Sequence, residues 1–242
     1  MGNIYLTIII PAYNEQTRLP VTLKNIDYYL RKQDYSSEVI VVSDGSTDET
    51  RRVAEEFGWS TSRCRVFEYF PNKGKGAAVK LGMLEAQGDF RLFMDADLSV
   101  PIDFIEKCFI EIDKTNSIVI GSRALKTSRI VKGQNIIRRT LGKMYGHLLN
   151  AVTGLGIKDT QCGFKMFTSD AAERVFSDLV CVNQLFDAEI LLLARSYGFS
   201  VVEVPVDWYH DGESRLEYSL LKSIWILKEL LIIRRRAIIL TK

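Results

Sequence analysis

Tyr5-Leu-Thr-Ile-Ile-Ile-Pro11-Ala-Tyr-Asn-Glu15 is an apolar, β-branched run that ends abruptly in polar residues. It is too short for a typical helix and does not alternate, so it reads as a strand buried on both faces. The pattern recurs at Glu38-Val-Ile-Val-Val-Ser43 before Asp44-Gly-Ser-Thr-Asp48, and at Arg65-Val-Phe-Glu-Tyr-Phe70 before Asn72-Lys-Gly-Lys-Gly76. Phe90-Arg-Leu-Phe-Met94 leads into Asp95-Ala-Asp97, and Ser117-Ile-Val-Ile-Gly121 repeats the strand pattern once more. Helical spacing fills 17–34, 47–58, 74–88 and 101–115 between them. Short strands alternating with helices predict βαβ units, hence an α/β, doubly wound, mostly parallel sheet with helices on both faces. Ligands of such sheets bind beyond the carboxyl ends of the strands, where the polar runs fall.

Beyond Gly121 the pattern loosens. Residues 129–152 have mixed helical periodicity, Gly163-Phe-Lys-Met-Phe167 is a short strand, and 169–178 and 184–197 are helical. Val201-Val-Glu-Val-Pro-Val206 alternates as a half-exposed strand. A last helix over about 218–236 puts Leu220, Ile224, Leu227 and Leu231 on one stripe, with Lys222, Glu229 and Arg236 opposite. With no internal repeat or linker, the expected organisation is one domain over 1–216 and an amphipathic, basic helix over 217–242.

Composition bounds the function. A chain of 242 residues with 47% hydrophobic and 26% charged residues is neither disordered, collagen-like nor coiled coil. No run approaches the ~18 uncharged apolar residues of a membrane span, and no basic segment precedes the first apolar run as a secretory signal would require. Cys64, Cys108, Cys162 and Cys181 form no C-x-x-C pair and read as buried thiols rather than disulfides or zinc ligands. The net charge of +2 conceals a segregation. Between Asp113 and Asp159 there are nine basic residues, among them Arg123, Arg138 and Arg139, and no acidic one; from Lys222 onward six basic residues face Glu229 alone. Two basic surfaces imply an anionic partner. Without a nucleic-acid motif or interleaved aromatics, that partner is not expected to be nucleic acid.

The chemistry concentrates at Asp95 and Asp97. Two carboxylates two residues apart at a strand end can share one Mg²⁺ or Mn²⁺, completed by substrate phosphate oxygens and water. Asp44 follows a strand and precedes a tight turn, where a carboxylate can accept a nucleobase N–H. Ser46 or Thr47 would cap the following helix. Asn72-Lys-Gly-Lys-Gly76 lacks P-loop spacing, so an ATPase is not expected. Its two lysines oppose the dipole of the helix they open, which suggests an anion there. His147 and His210, the only histidines, are assigned structural roles.

Taken in order, Pro11-Ala-Tyr-Asn-Glu15, Val41-Val-Ser-Asp44-Gly-Ser-Thr-Asp48, Asn72-Lys-Gly-Lys-Gly76, Met94-Asp-Ala-Asp-Leu98 and Gly121-Ser-Arg123 resemble the family-2 inverting glycosyltransferases of GT-A fold. Ile137-Arg-Arg-Thr140, Asp159-Thr-Gln-Cys-Gly-Phe-Lys165, Phe186-Asp-Ala-Glu189 and Glu203-Val-Pro-Val-Asp-Trp208 narrow the resemblance to dolichyl-phosphate β-glucosyltransferases and related polyprenyl-phosphate sugar transferases. The resemblance implies that Pro11, Tyr13 and Glu15 flank the nucleotide, that Asp44 reads the uracil and that Lys75 lies near the base or ribose. It implies that Asp95 and Asp97 hold the metal, Mg²⁺ or Mn²⁺, and the diphosphate, and that Arg123, Arg138 and Arg139 serve the acceptor phosphate. Ser99 stands where the mannosyl branch often has Gln, favouring UDP-glucose over GDP-mannose. Tyr209-His-Asp-Gly-Glu-Ser-Arg215 lacks the leading arginine of that branch's Arg-x-x-Gly-x-Ser-Lys run.

The implied reaction is transfer of glucose from UDP-glucose to a dolichyl or undecaprenyl monophosphate, with inversion. Such an acceptor needs no general base; a sugar-hydroxyl acceptor would, with Asp159 or Asp187 as candidates. Alternatives are a family-2 transferase using GDP-mannose or another UDP-sugar, and a non-catalytic nucleotide-binding module at a membrane surface. The last helix, with Arg234-Arg-Arg236 at the headgroups, suits an interfacial position on the cytoplasmic face of a membrane. The oligomeric state stays open, a homo-oligomer included.

Overall fold

The computed structural model describes residues 3–60, 62–112, 116–132, 146, 149–209 and 220–239. The first half runs β1 (Leu6–Ala12), α1 (Leu19–Leu30), β2 (Ser37–Asp44), α2 (Thr50–Glu55), β3 (Arg63–Tyr69), α3 (Lys75–Glu85) and β4 (Phe90–Met94). A 3-10 turn at Ile102–Phe104 leads into α4 (Ile105–Ile112), followed by β5 (Ile118–Ser122) and β6 (Arg129–Lys132). Then come β7 (Phe164–Thr168), α5 (Ser169–Asp178), α6 (Phe186–Ser196), β8 (Val201–Pro205), β9 (Asp207–Tyr209) and α7 (Leu220–Ile239).

Seven strands form one sheet in the order β3-β2-β1-β4-β7-β5-β8. All pairings are parallel except those of β7, which is antiparallel to both β4 and β5. The β-strand pleat divides the core. Leu6, Ile8 and Ile10 of β1 face a cluster with Leu19, Leu23 and Ile26 of α1 and Ile105 of α4, while Ile9 faces Ala78 and Val79 of α3 and Ile190 of α6. Gly82 of α3 lets that helix lie on β1, since a Cβ there would fall 2.4 Å from Ile9 Cγ2. From β1 the chain builds outward through β2 and β3, then returns to place β4 on the other side of β1. That reversal creates a crevice at the carboxyl ends of β1 and β4, the expected ligand position.

The chain departs from its sequence pattern in three places. Arg129–Lys132, inside the stretch assigned helical periodicity, is a strand paired in parallel with Asp207–Tyr209. Its partner lies far along the chain, so local periodicity cannot register it, although Ile130 and Val131 are good strand formers. Helix α2 starts at Thr50 rather than 47, and neither Ser46 nor Thr47 caps it. Ser46 Oγ instead accepts the Asn14 N–H at 3.1 Å, and the Thr47 N–H goes to Asn14 Oδ1 at 2.8 Å, tying the β1 and β2 rims together. Among the described side chains of α7, Leu230, Ile233 and Ala237 are buried, packed against Leu149, Leu185, Ala188 and Leu192. Leu231, expected on the apolar stripe, is 47% exposed, and Arg236, expected opposite, turns into the protein. Among the described side chains, the face of α7 turned to α6 is the one carrying Leu230, Ile233 and Ala237. The side chains of Leu220, Ile224 and Leu227, with Arg138, Arg139, His147 and residues 210–219, lie outside the described residues. No described helix is long and apolar enough to cross a membrane.

Candidate active site

A cavity of about 370 Å³ opens at the crevice, lined by Pro11, Ala12, Tyr13, Glu15, Asp44, Asn72, Gly74, Lys75, Asp95, Ala96 and Asp97. The seven residues expected on the donor side (Pro11, Tyr13, Glu15, Asp44, Lys75, Asp95 and Asp97) therefore share one wall. Pro11 and Asp44 lie at the ends of β1 and β2, Tyr13 and Glu15 follow β1, Lys75 opens α3 after β3, and Asp95 and Asp97 follow β4. Glu15 is held by Arg18 through two contacts of 2.6 and 2.7 Å, and its N–H donates to Thr50 Oγ1 at 2.7 Å.

Asp44 is 3% exposed and holds the β3–α3 loop. Its Oδ1 accepts the Lys73 N–H at 2.7 Å, its Oδ2 accepts the Gly74 N–H at 3.0 Å, and its carbonyl accepts Asn72 Nδ2 at 2.8 Å. The anion expected at the start of α3 is thus, in part, this carboxylate. Each oxygen retains a lone pair for another donor. Burial, with Asp44 beside it, raises the Tyr69 phenol pKa. Gly45 (φ +66°) has no room for a side chain, because a Cβ would fall 2.4 Å from Asn72 N.

The Lys75 ammonium contacts Asp95 Oδ1. Burial lowers its pKa, but the charges of Asp95, Asp187 and Asp97 outweigh that and the net shift is upward, so Lys75 remains a cation. Asp97 Oδ1 accepts the Ser99 N–H at 2.9 Å, and the Ser99 carbonyl accepts the Tyr209 N–H at 2.9 Å, joining the β4 rim to β9. Asp97 Oδ2 and Asp95 Oδ2 have no hydrogen-bond partner among the described residues. Two carboxylate oxygens with free lone pairs on one rim fit a hard divalent ion that takes its remaining ligands from phosphate and water.

The second half supplies a network of paired charges. Arg123 forms a bidentate pair with Asp159, Nε to Oδ2 at 2.7 Å and Nη2 to Oδ1 at 2.8 Å, and its own N–H adds a third bond at 2.8 Å. Its guanidinium lies 5.4 Å from the Trp208 ring centroid. The N–H groups of Lys158 and Asp159 donate to Glu203 at 2.9 and 3.0 Å. Burial opposes the charge of Asp159, but Arg123 and then Lys165 outweigh it and hold this carboxyl below the usual range. Lys165, fully buried, pairs with Asp187 and donates to the Cys162 carbonyl at 2.6 Å. Both carboxylates named as candidate bases are therefore already engaged by cations. Arg123 in turn spends two of its five N–H donors on Asp159 and keeps three.

Three contributors were not singled out from sequence. Gly163 lies against Asp95: its carbonyl accepts the Asp95 N–H at 3.1 Å, and a Cβ would fall 2.0 Å from Asp95 Oδ2. The Val182 carbonyl accepts the Gly76 N–H at 3.0 Å. Lys165 neutralises Asp187. Gly163 and Lys165 belong to the Asp159–Lys165 run, but a motif does not name the partner of its residues. A backbone carbonyl leaves no such signal.

Residues 7–176 match the family described as Glycosyl transferase family 2. The chain is 38% identical over 250 residues to a dolichyl-phosphate beta-glucosyltransferase of Dictyostelium discoideum, covering 98% of this chain and 76% of that one. It is 35% identical to a protein of the same name from Saccharomyces cerevisiae, covering 96% and 74%. Among solved structures it is similar in fold to glucosyl-3-phosphoglycerate synthase from Mycobacterium tuberculosis in complex with Mn²⁺, UDP-glucose and phosphoglyceric acid. The TM-score is 0.67 at 16% identity, covering 97% of this chain and 80% of that one.

Proposed function

Because the chain belongs to glycosyl transferase family 2, and so is a glycosyltransferase, we propose that it transfers glucose from UDP-glucose to dolichyl or another polyprenyl monophosphate with inversion. The names of its relatives support the sugar and the acceptor class. The observation that carries the reading is the pairing of both candidate bases, Asp159 by Arg123 and Asp187 by Lys165. An acceptor with a hydroxyl nucleophile would need a free base. A phosphate monoester, with a second pKa of about 6, arrives largely dianionic at neutral pH and needs only positioning and charge neutralisation.

Pro11, Tyr13 and Glu15 flank the nucleotide and Asp44 receives the uracil N–H. The three remaining N–H donors of Arg123, with Arg138 and Arg139, engage the acceptor phosphate; a guanidinium fork suits two phosphate oxygens better than lysine does. The phosphate oxygen bonds to the anomeric carbon as the bond to the diphosphate breaks, and UDP leaves with the electron pair. Lys75 stays protonated to face that departing charge. When bound, a Mg²⁺ or Mn²⁺ ion on Asp95 and Asp97 supplies further neutralisation of the diphosphate. The lipid acceptor places the enzyme at a membrane surface, for which we propose the cytoplasmic face. The outward side of α7, with Leu231, Ile232 and Ile239 exposed beside Lys228 and Arg235, suits contact with anionic lipid.

The test is incubation of the purified chain with UDP-glucose and either a short polyprenyl phosphate or the matching polyprenol. UDP release dependent on the phosphate, and absent with the alcohol, is expected. Equal turnover with the alcohol would overturn the phosphate-acceptor reading.

A further inference from the structure

Arg236, near the end of α7, reaches a carboxylate that is almost wholly buried. Its Nη1 donates to Glu189 Oε1 at 2.9 Å and its Nη2 to the Asp178 carbonyl at 2.7 Å; the Glu189 side chain is 2% exposed. The other oxygen of Glu189 accepts the backbone N–H groups of Val180 and Cys181. One residue further on, the Val182 carbonyl accepts the N–H of Gly76 at 3.0 Å. The contact is tight on both sides. A Cβ on Gly74 would lie 2.7 Å from the Val182 oxygen, and one on Gly76 would lie 2.8 Å from it and 2.7 Å from Phe186 Cβ. Gly74 and Lys75 line the candidate nucleotide cavity, and Gly74 donates to Asp44.

We propose that Arg236 is a positioning residue for the nucleotide pocket, acting through Glu189 and the 180–182 backbone on the Gly74–Gly76 loop. The last helix thereby belongs to the support of the donor site. Glu189 anchors two backbone amides through one oxygen while Arg236 holds the other, and a buried carboxylate stripped of its counter-charge is expensive. Without Arg236, the amides of Val180 and Cys181 lose a fixed acceptor, and the Val182 carbonyl is no longer held at the distance that sets the glycine loop. Arg234 provides an internal contrast. It lies on the same helix and donates to the Val152 carbonyl at 2.7 Å, but has no bond to this chain of contacts.

The proposal rests on the reading of the cavity as a nucleotide site, and the experiment separates the two. Binding of UDP with Mn²⁺ to the full chain is measured by calorimetry for the unaltered protein, Arg236→Gln, Arg236→Lys and Arg234→Ala. Steady-state KM values are taken for both substrates. Arg236→Gln should weaken UDP binding about tenfold, or about 1.4 kcal/mol. It should raise the KM for UDP-glucose while leaving that for the lipid phosphate unchanged. Arg236→Lys should recover part of the loss, and Arg234→Ala should bind as the unaltered protein does. Equal UDP affinity for Arg236→Gln and the unaltered protein, or equal losses for Arg236→Gln and Arg234→Ala, would overturn the proposal and leave the nucleotide reading standing. Should Arg236→Gln fail to fold, Arg236→Lys decides: a weakening of about threefold supports the proposal and unchanged affinity overturns it. Failure of the unaltered protein to bind UDP removes the nucleotide reading and this proposal with it.

Discussion

The rim above β1, β2 and β4 and the charged interior of the second half use the same residue types for opposite ends. At the rim, Asp95 and Asp97 each keep an oxygen open among the described residues, and the wall they share encloses a cavity of about 370 Å³. In the second half, Asp159, Asp187 and Glu189 are each paired with a cation, Arg123, Lys165 and Arg236, and these carboxylates are nearly or wholly out of solvent. Parallel strand ends leave carboxylates facing a crevice that substrate can fill. The later motifs run through β7 and α6, where packing excludes water and each charge needs an opposite charge from the chain itself. The same residue type keeps a free oxygen in one setting and is a strut in the other.

The sharpest way to break that contrast is at Asp97. Asp97→Asn keeps the oxygen that caps Ser99 but removes the charge, so transfer should fall at least ~1,000-fold, about 4 kcal/mol in kcat/KM. The thermal midpoint should move little. A loss of stability comparable to that of an interior variant would make the rim a structural element too.

The interior predicts the reverse order of effects. Asp187→Asn strands the Lys165 ammonium, fully buried, and should cost about 3–5 kcal/mol in unfolding free energy. The paired replacement Lys165→Met with Asp187→Leu should recover most of it in a denaturation experiment. If the single variant is no less stable than the unaltered chain, Asp187 is not a strut and returns as a candidate base.

The smallest effect sharpens the comparison by pH. Arg123 holds the Asp159 carboxyl below its usual range, so this pair contributes stability above the unfolded value of about 3.9 and loses it as pH falls through the lower folded value. The stability gap between the unaltered protein and Asp159→Asn should therefore be full at pH 7 and shrink in acid. A gap independent of pH down to the acid transition would show that charge is not what Asp159 contributes.

The legibility of the chain follows the same division. The first four parallel strands and their polar exits were readable because buried strands are written as continuous apolar runs and their ends as polar breaks, both local signals. The seven residues that meet around the cavity all lie in runs that this pattern marks. Helix ends were less readable: Ser46 and Thr47 look like caps in sequence, yet their bonding groups are claimed by Asn14, a residue on another strand's rim.

From Leu6 to Asp97, the sequence alone determined the alternation of strand and helix, the polar rim, and the aspartates that end β4. Each of these depends on a residue and its near neighbours. Tertiary structure alone decided that Arg129–Lys132 is a strand, that Leu230 rather than Leu231 faces the protein, and that Asp159 and Asp187 are paired rather than free. Those outcomes depend on which group, distant in the chain, arrives opposite. A buried charge takes whatever counter-charge the fold delivers to it, and no local spacing encodes that meeting.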